Sequence, residues 1–86
     1  EKVRQAAVIS GGGGTDGLLA AVAAGADVLI TGEMDHTMIH VLRENRTHVV
    51  QLGHYASEVH GVRNLMRLAR MELGLDTVWI DCPTGL

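Results

Sequence analysis

Val49-Val50-Gln51-Leu52-Gly53-His54-Tyr55-Ala56-Ser57-Glu58 runs from an apolar stretch, through a glycine and a histidine, into the chain's longest helical pattern, residues 57–73. The apolar run reads as a strand that delivers His54 at its carboxyl end, with a helix beginning soon after. In open α/β sheets ligands collect at that end of the strands. At 100° per residue, Leu65, Met66, Ala69 and Leu73 fall within about 60° of Val62, which predicts a core-facing stripe. Glu58 shares that stripe, and His60 points away. An inward carboxylate is costly unless it is paired or bound to a metal. His54 and Glu58 are spaced i, i+4, so an imidazole and a carboxylate can converge on one point. In the competing reading, Glu58 answers the positive end of the helix dipole, and His54 is an ordinary loop residue.

Outward from this stretch, the same alternation of patterns repeats. Residues 3–10 end in an apolar run that predicts a strand, followed by Gly11 to Gly14. Thr15 and Asp16 are candidate N-caps for a short Ala/Leu helix that ends near Gly25. A second strand is expected over 27–31 and a second helix over 36–44, with Asp35 as its cap and Met38, Val41 and Leu42 inward. A third strand is expected over 47–52. After the long helix, Gly74 serves as its cap and residues 77–81 read as a last strand stopped by Pro83. The order βαβαβαβ predicts an α/β fold with a mainly parallel sheet and right-handed crossovers. A parallel sheet needs both faces covered, and three helices over four strands leave part of one face bare.

Composition narrows the function classes. The chain has 86 residues, enough for a single small α/β domain over residues 1–86. A 47% hydrophobic content with 20% charged residues argues for a globular core and against disorder. Net charge is −3 with no basic cluster or aromatic-rich strand, so no nucleic-acid partner is expected. No apolar run reaches spanning length, so no membrane partner is expected either. Cys82 is the single cysteine, which suits a reducing compartment and a cytoplasmic location; a small buried hydrophobe is its expected role.

Two further patterns compete for chemistry. Gly12, Gly14 and Gly17 form G-x-G-x-x-G between a strand and a helix, with Glu33 placed where a ribose-binding acid belongs. Such a loop can hold a phosphate of a dinucleotide or of another substrate, or it can be a permissive turn. His36 and His40 also stand at the i, i+4 spacing of helical metal sites. His40 projects away from Met38 and Leu42 and reads as solvated. His36 lies in the first turn, at the sheet edge shared by Glu33 and His54. His48 reads as a packing or capping residue, and Asp81 has no assigned role.

Ile30-Thr31-Gly32-Glu33-Met34-Asp35-His36, followed by Gly53-His54-Tyr55-Ala56-Ser57-Glu58, resembles the C-terminal half of the Nif-three-like family, the GTP cyclohydrolase I type 2 homologues. The segment AGADVLITGE at 24–33 and IDCP at 80–83 extend the resemblance over essentially the whole chain. The resemblance implies half of a larger Nif-three-like fold and a dinuclear centre of divalent metal ions, with Zn, Fe, Mn and Co all suited to the donors. His54 is implied as a ligand of one ion and Glu58 as the bridging carboxylate. The family's His-His pair and aspartate come from its N-terminal half, and this chain contains no His-His dipeptide. Glu33 and His36 are expected to touch substrate or to support the ligands, and Gly12 and Gly13 to receive a phosphate. The implied reaction is metal-assisted hydrolysis of a small, nucleotide-like molecule, at a purine ring or a phosphoester, in a homo-oligomer. A metal-binding protein without turnover and a nucleotide-binding domain using the glycine loop are the alternatives.

Overall fold

A computed structural model of the chain describes residues 2–86. Its elements are β1 (Ala6–Gly12), α1 (Gly14–Ala23), β2 (Val28–Glu33), α2 (Met38–Glu44), β3 (His48–Gln51) and α3 (His54–Leu73). The three strands lie in the order β1-β2-β3 and pair in parallel, as the alternation of apolar runs with helical patterns predicts. Val28 pairs with Ala6 on one side and His48 on the other, so all three strands point their carboxyl ends to one edge.

One face of the sheet carries the core. Leu18 and Ala21 of α1 and Met38 and Leu42 of α2 pack with Leu29 and Ala26, flanked by Ala7, Ile9 and Val49 from the strands. The other face is largely bare: Val8 is 72% exposed and Val50 45%. A bare face was the expectation, and it is larger than three helices should leave because α3 does little to cover it.

The stripe of α3 is where the sequence reading needs its main correction. Val62, Leu65 and Leu73 are exposed, and no residue of α3 is buried. The helix runs 20 residues, about 30 Å, while its hydrogen bond to the sheet comes from the first turn, through Ser57. The chain is accordingly drawn out, with a radius of gyration of 15.9 Å against about 12 Å for a compact domain of this length.

The strand expected at 77–81 is also absent from the sheet. This segment is extended but lies against α3, where Trp79 stacks under the Arg63 guanidinium at 4.8 Å and Arg70 hydrogen-bonds Thr77. The alternation that suggested a strand is real, with Thr77 and Trp79 half-buried and Val78 and Ile80 exposed. It is satisfied by a helix surface in place of a neighbouring strand. Cys82, in the same tail, is exposed and not the buried hydrophobe expected.

Helix starts differ in one consistent way. Gly13 and Thr37 occupy the N-cap positions of α1 and α2 without side-chain cap bonds, so Asp16 and Asp35 do not cap as expected. Asp16 instead sits in the first turn of α1, where the helix dipole favours a carboxylate. Helix ends follow expectation more closely, and Gly74 closes α3 in the left-handed conformation with φ 64°.

Candidate metal centre

Three features of the backbone build the site at the carboxyl edge. The β1–β2 register changes by one residue between Ile9–Thr31 and Gly12–Glu33, which marks a bulge in β1. Gly11 sits in that bulge with φ 66°, a conformation that glycine adopts without a steric penalty. The N-terminus of α3 then closes on Gly11. The Gly11 N–H donates to Ser57 Oγ at 2.7 Å, and that hydroxyl donates to the His54 carbonyl at 2.8 Å.

Gly11 is where backbone and side chains meet most closely. A Cβ there would collide with Glu58 Oε1 and stand 3.0 Å from His54 Nε2. The absence of a side chain is therefore what lets His54 and Glu58 share this space. His54 Nε2 lies 3.1 Å from Glu58 Oε1, and its Nδ1 lies 2.9 Å from Glu33 Oε1, delivered by the end of β2. The imidazole thus stands between two carboxylates, one on each nitrogen.

Only the protonated ring can donate to both. The hydrogen bond to Glu33 is the largest cause holding the His54 pKa above its ordinary value, with the negative charge of Glu58 adding to it and partial desolvation opposing. All three side chains are partly open to water, which screens these attractions.

The structure joins His54, Glu58 and Glu33 in one chain of contacts at one edge. Glu58 is exposed, however, and not the inward carboxylate that the helical stripe predicts, because that stripe of α3 is itself uncovered. Gly12 belongs to the same neighbourhood, since its missing Cβ faces Glu33. Gly13 faces Ile9 instead, where a side chain would block the packing of α1 on β1. His36 is exposed in the turn before α2. A cleft of about 410 Å³ opens beside Glu33, with Gly12, Gly14, Met34, Asp35 and Met38 also in its lining. Among the described residues no group of three or more His, Cys, Asp or Glu side chains is arranged to hold a metal ion. Glu33 and Glu58 are on opposite nitrogens of the ring and do not converge.

Three contributors escaped the sequence reading. Gly11 and Ser57 hold the start of α3 against β1, and only the serine three places after His54 hinted at it. Tyr55 ties the tail to the same turn: its hydroxyl donates to Asp81 at 2.7 Å and accepts the Cys82 N–H at 3.0 Å. Its own N–H donates to the Leu86 carbonyl at 3.0 Å. Asp81 thereby acquires a role.

Comparison with known proteins agrees with this architecture. The model of the Duf34/NIF3 (NGG1p interacting factor 3) family matches residues 1–84. A GTP cyclohydrolase 1 type 2 homolog from Archaeoglobus fulgidus is 43% identical over 86 residues, covering all of this chain and 35% of the relative. The homolog from Pyrococcus abyssi is 41% identical over the same span and is covered to 34%. The crystal structure of TTHA1606 from Thermus thermophilus superposes with a TM-score of 0.79 at 35% identity, over 99% of this chain and 37% of that one. The chain therefore spans about a third of the length of these relatives, less than the half expected. With the family's match running from β1 through the tail, and the α/β arrangement shared with the Thermus protein, this chain belongs to the Duf34/NIF3 (NGG1p interacting factor 3) family.

Proposed function

We propose that this chain supplies a His/Glu portion of a divalent-metal site in a hydrolase, with Nε2 of His54 and the carboxylate of Glu58 as ligands. One observation carries the reading: these donors stand 3.1 Å apart in a space kept open by the missing side chain of Gly11. Two donors each about 2.1 Å from one ion stand at about this spacing. Glu33 completes the arrangement by accepting from Nδ1–H, which fixes the tautomer that leaves Nε2 free to ligate. Two ligands are too few for a tight site, so tight binding on this reading requires further donors beside His54 and Glu58.

A divalent ion bound there, whether Zn, Fe, Mn or Co, supplies Lewis acidity and a water of lowered pKa. The chain's own part is to orient the His54 ring, through Glu33, and to present Glu58 from the first turn of α3. The cleft beside Glu33 is the place for substrate. Among the described residues its lining includes two carboxylates, Glu33 and Asp35, and no cationic side chain, so it suits hydroxyl and ring N–H groups better than a bare phosphate. This disfavours the dinucleotide reading of Gly12, Gly14 and Gly17. The name carried by the relatives, GTP cyclohydrolase 1 type 2 homolog, supports a nucleotide-like substrate and a hydrolytic step. No helix among the described residues is long and apolar enough to cross a membrane, and a homo-oligomer acting in the cytoplasm is the setting that goes with this reading.

Elemental analysis of the natural-length protein, purified without chelators beside the His54→Ala/Glu58→Ala double variant, tests it. Wild type should carry transition metal and the variant almost none, and equal content removes the assignment. Turnover on nucleotides and phosphoesters then separates a hydrolase from a metal-binding protein without catalysis.

A further inference from the structure

The opposite edge of the sheet carries charge of the other sign. Lys2 and Arg4 precede β1, Asp27 precedes β2, Arg46 follows α2, and His48 opens β3; together they line a cleft of about 120 Å³. Three of the chain's seven Lys and Arg residues therefore meet at one place in a protein of net charge −3. Among the described residues Asp27 is the only acid in the lining, and its Oδ2 already accepts the N–H groups of Arg4 at 2.8 Å and Gln5 at 2.9 Å. Among the described lining residues, three Lys and Arg side chains stand against that one carboxylate, a positive balance.

Arg46 adds an independent observation. It is the only non-glycine among the described residues with positive φ, at 54°. The end of α2 makes the bonds Arg46 N–H to Arg43 O and Thr47 N–H to Leu42 O. The end of α1 makes the matching pair through Gly25 and Ala26, and there the left-handed position is glycine, as it is at Gly74 after α3. Two helices thus close on the residue that this backbone favours, and α2 closes on an arginine that suffers steric crowding there. What the arginine offers in return is a cation at the rim of the cleft.

We propose that this cleft binds a phosphate-type oxyanion, either inorganic phosphate or the phosphomonoester end of a small ligand. Its volume is below the roughly 300 Å³ at which whole small molecules are enclosed, so a single oxyanion group is the part that enters. Arg46 and Arg4 present planar N–H forks suited to phosphate oxygens. Glu33 is the last of the six residues of β2 and Asp27 stands just before the first, so the cleft and Glu33 lie about 20 Å apart along the strand. An anion held here is therefore not the part of a substrate that reaches His54.

Thermal unfolding and calorimetric titration of the natural-length protein, with inorganic phosphate and separately with glycerol 2-phosphate, test the proposal against Arg46→Gly. Glycine fits the left-handed backbone, so this variant should unfold at the same temperature as wild type or higher when no phosphate is present. It should bind phosphate roughly tenfold more weakly, having lost a charge-assisted contact. Binding of inorganic phosphate alone identifies the free ion as the ligand, and comparable or tighter binding of the monoester identifies an esterified one; both support the site. No stabilisation of wild type by either probe overturns it. Unchanged affinity in Arg46→Gly also overturns it, because the anion is then held elsewhere.

Discussion

Glu33 Oε1 stands 2.9 Å from Nδ1 of His54, which couples the end of β2 to the first residue of α3. Removing the charge of that carboxylate tests the coupling directly. In metal-free Glu33→Gln, the His54 pKa should fall back toward 6.5, since the largest cause of its elevation is gone. A titration of the ring protons by NMR reads this. In wild type the ring's contribution to stability is complete below 6.5 and fades as pH rises through the raised value. The variant should lose that part of the pH dependence.

Protons and metal compete for Nε2 of His54. The elevated pKa therefore predicts that metal uptake weakens as pH falls below that value, and that Glu33→Gln moves the onset of loss to lower pH. Metal content after dialysis at a series of pH values would show it. An onset that does not move would mean that Glu33 leaves the protonation of His54 untouched.

Gly11→Ala is expected to be costly at a position where a methyl group looks harmless on paper. The added Cβ meets Glu58 Oε1, and the backbone has φ 66°. Stability should drop by about 2 kcal/mol, and metal content should fall with it because Glu58 is pushed aside. Denaturant unfolding checks the first effect. A variant of wild-type stability would mean that the bulge relaxes without loss.

Tyr55→Phe removes one hydroxyl that both donates to Asp81 and accepts from Cys82. The tail should loosen while the sheet stays intact. Hydrogen exchange at the Cys82 amide should quicken and amides within β2 should keep their protection. Equal exchange at Cys82 would mean that other contacts hold the tail.

Asp27 accepts two backbone N–H bonds from Arg4 and Gln5, and these lower its pKa below 3.8. Its contribution to stability is present above 3.8 and is lost as pH falls through the lower folded-state value. Asp27→Asn should therefore unfold less steeply with acid below pH 3.8 than wild type does, in acid titrations followed by circular dichroism.

The three strands and three helices were legible in the sequence because burial on one sheet face enforces the apolar periods that mark them. Met38 and Leu42, expected inward, lie in the core with Val41 packed against it, and Leu18, Ala21 and Leu29 complete it. The periods of α3 and of 77–81 were equally clear but described surfaces without saying what covers them. Val62 and Leu65 repeat at helical spacing yet remain exposed, and Thr77 and Trp79 alternate yet meet a helix. At the site, the residue types of His54 and Glu58 were readable from spacing. The roles of Gly11, Ser57 and Tyr55 were not, because each depends on a contact between segments far apart in the chain.

The bulge in β1 turns the glycine run into a matter of count. In a strand, one residue more or fewer exchanges the two faces for everything that follows. Deleting a single glycine between Ser10 and Gly14 would leave composition almost unchanged. Because the bulge already absorbs one extra residue, the deletion would restore a regular ladder opposite Glu33 and remove the left-handed turn at Gly11 beside Glu58 and His54. A point substitution in this run tests one side chain, whereas a change of length would move the backbone that leaves the His54–Glu58 space open.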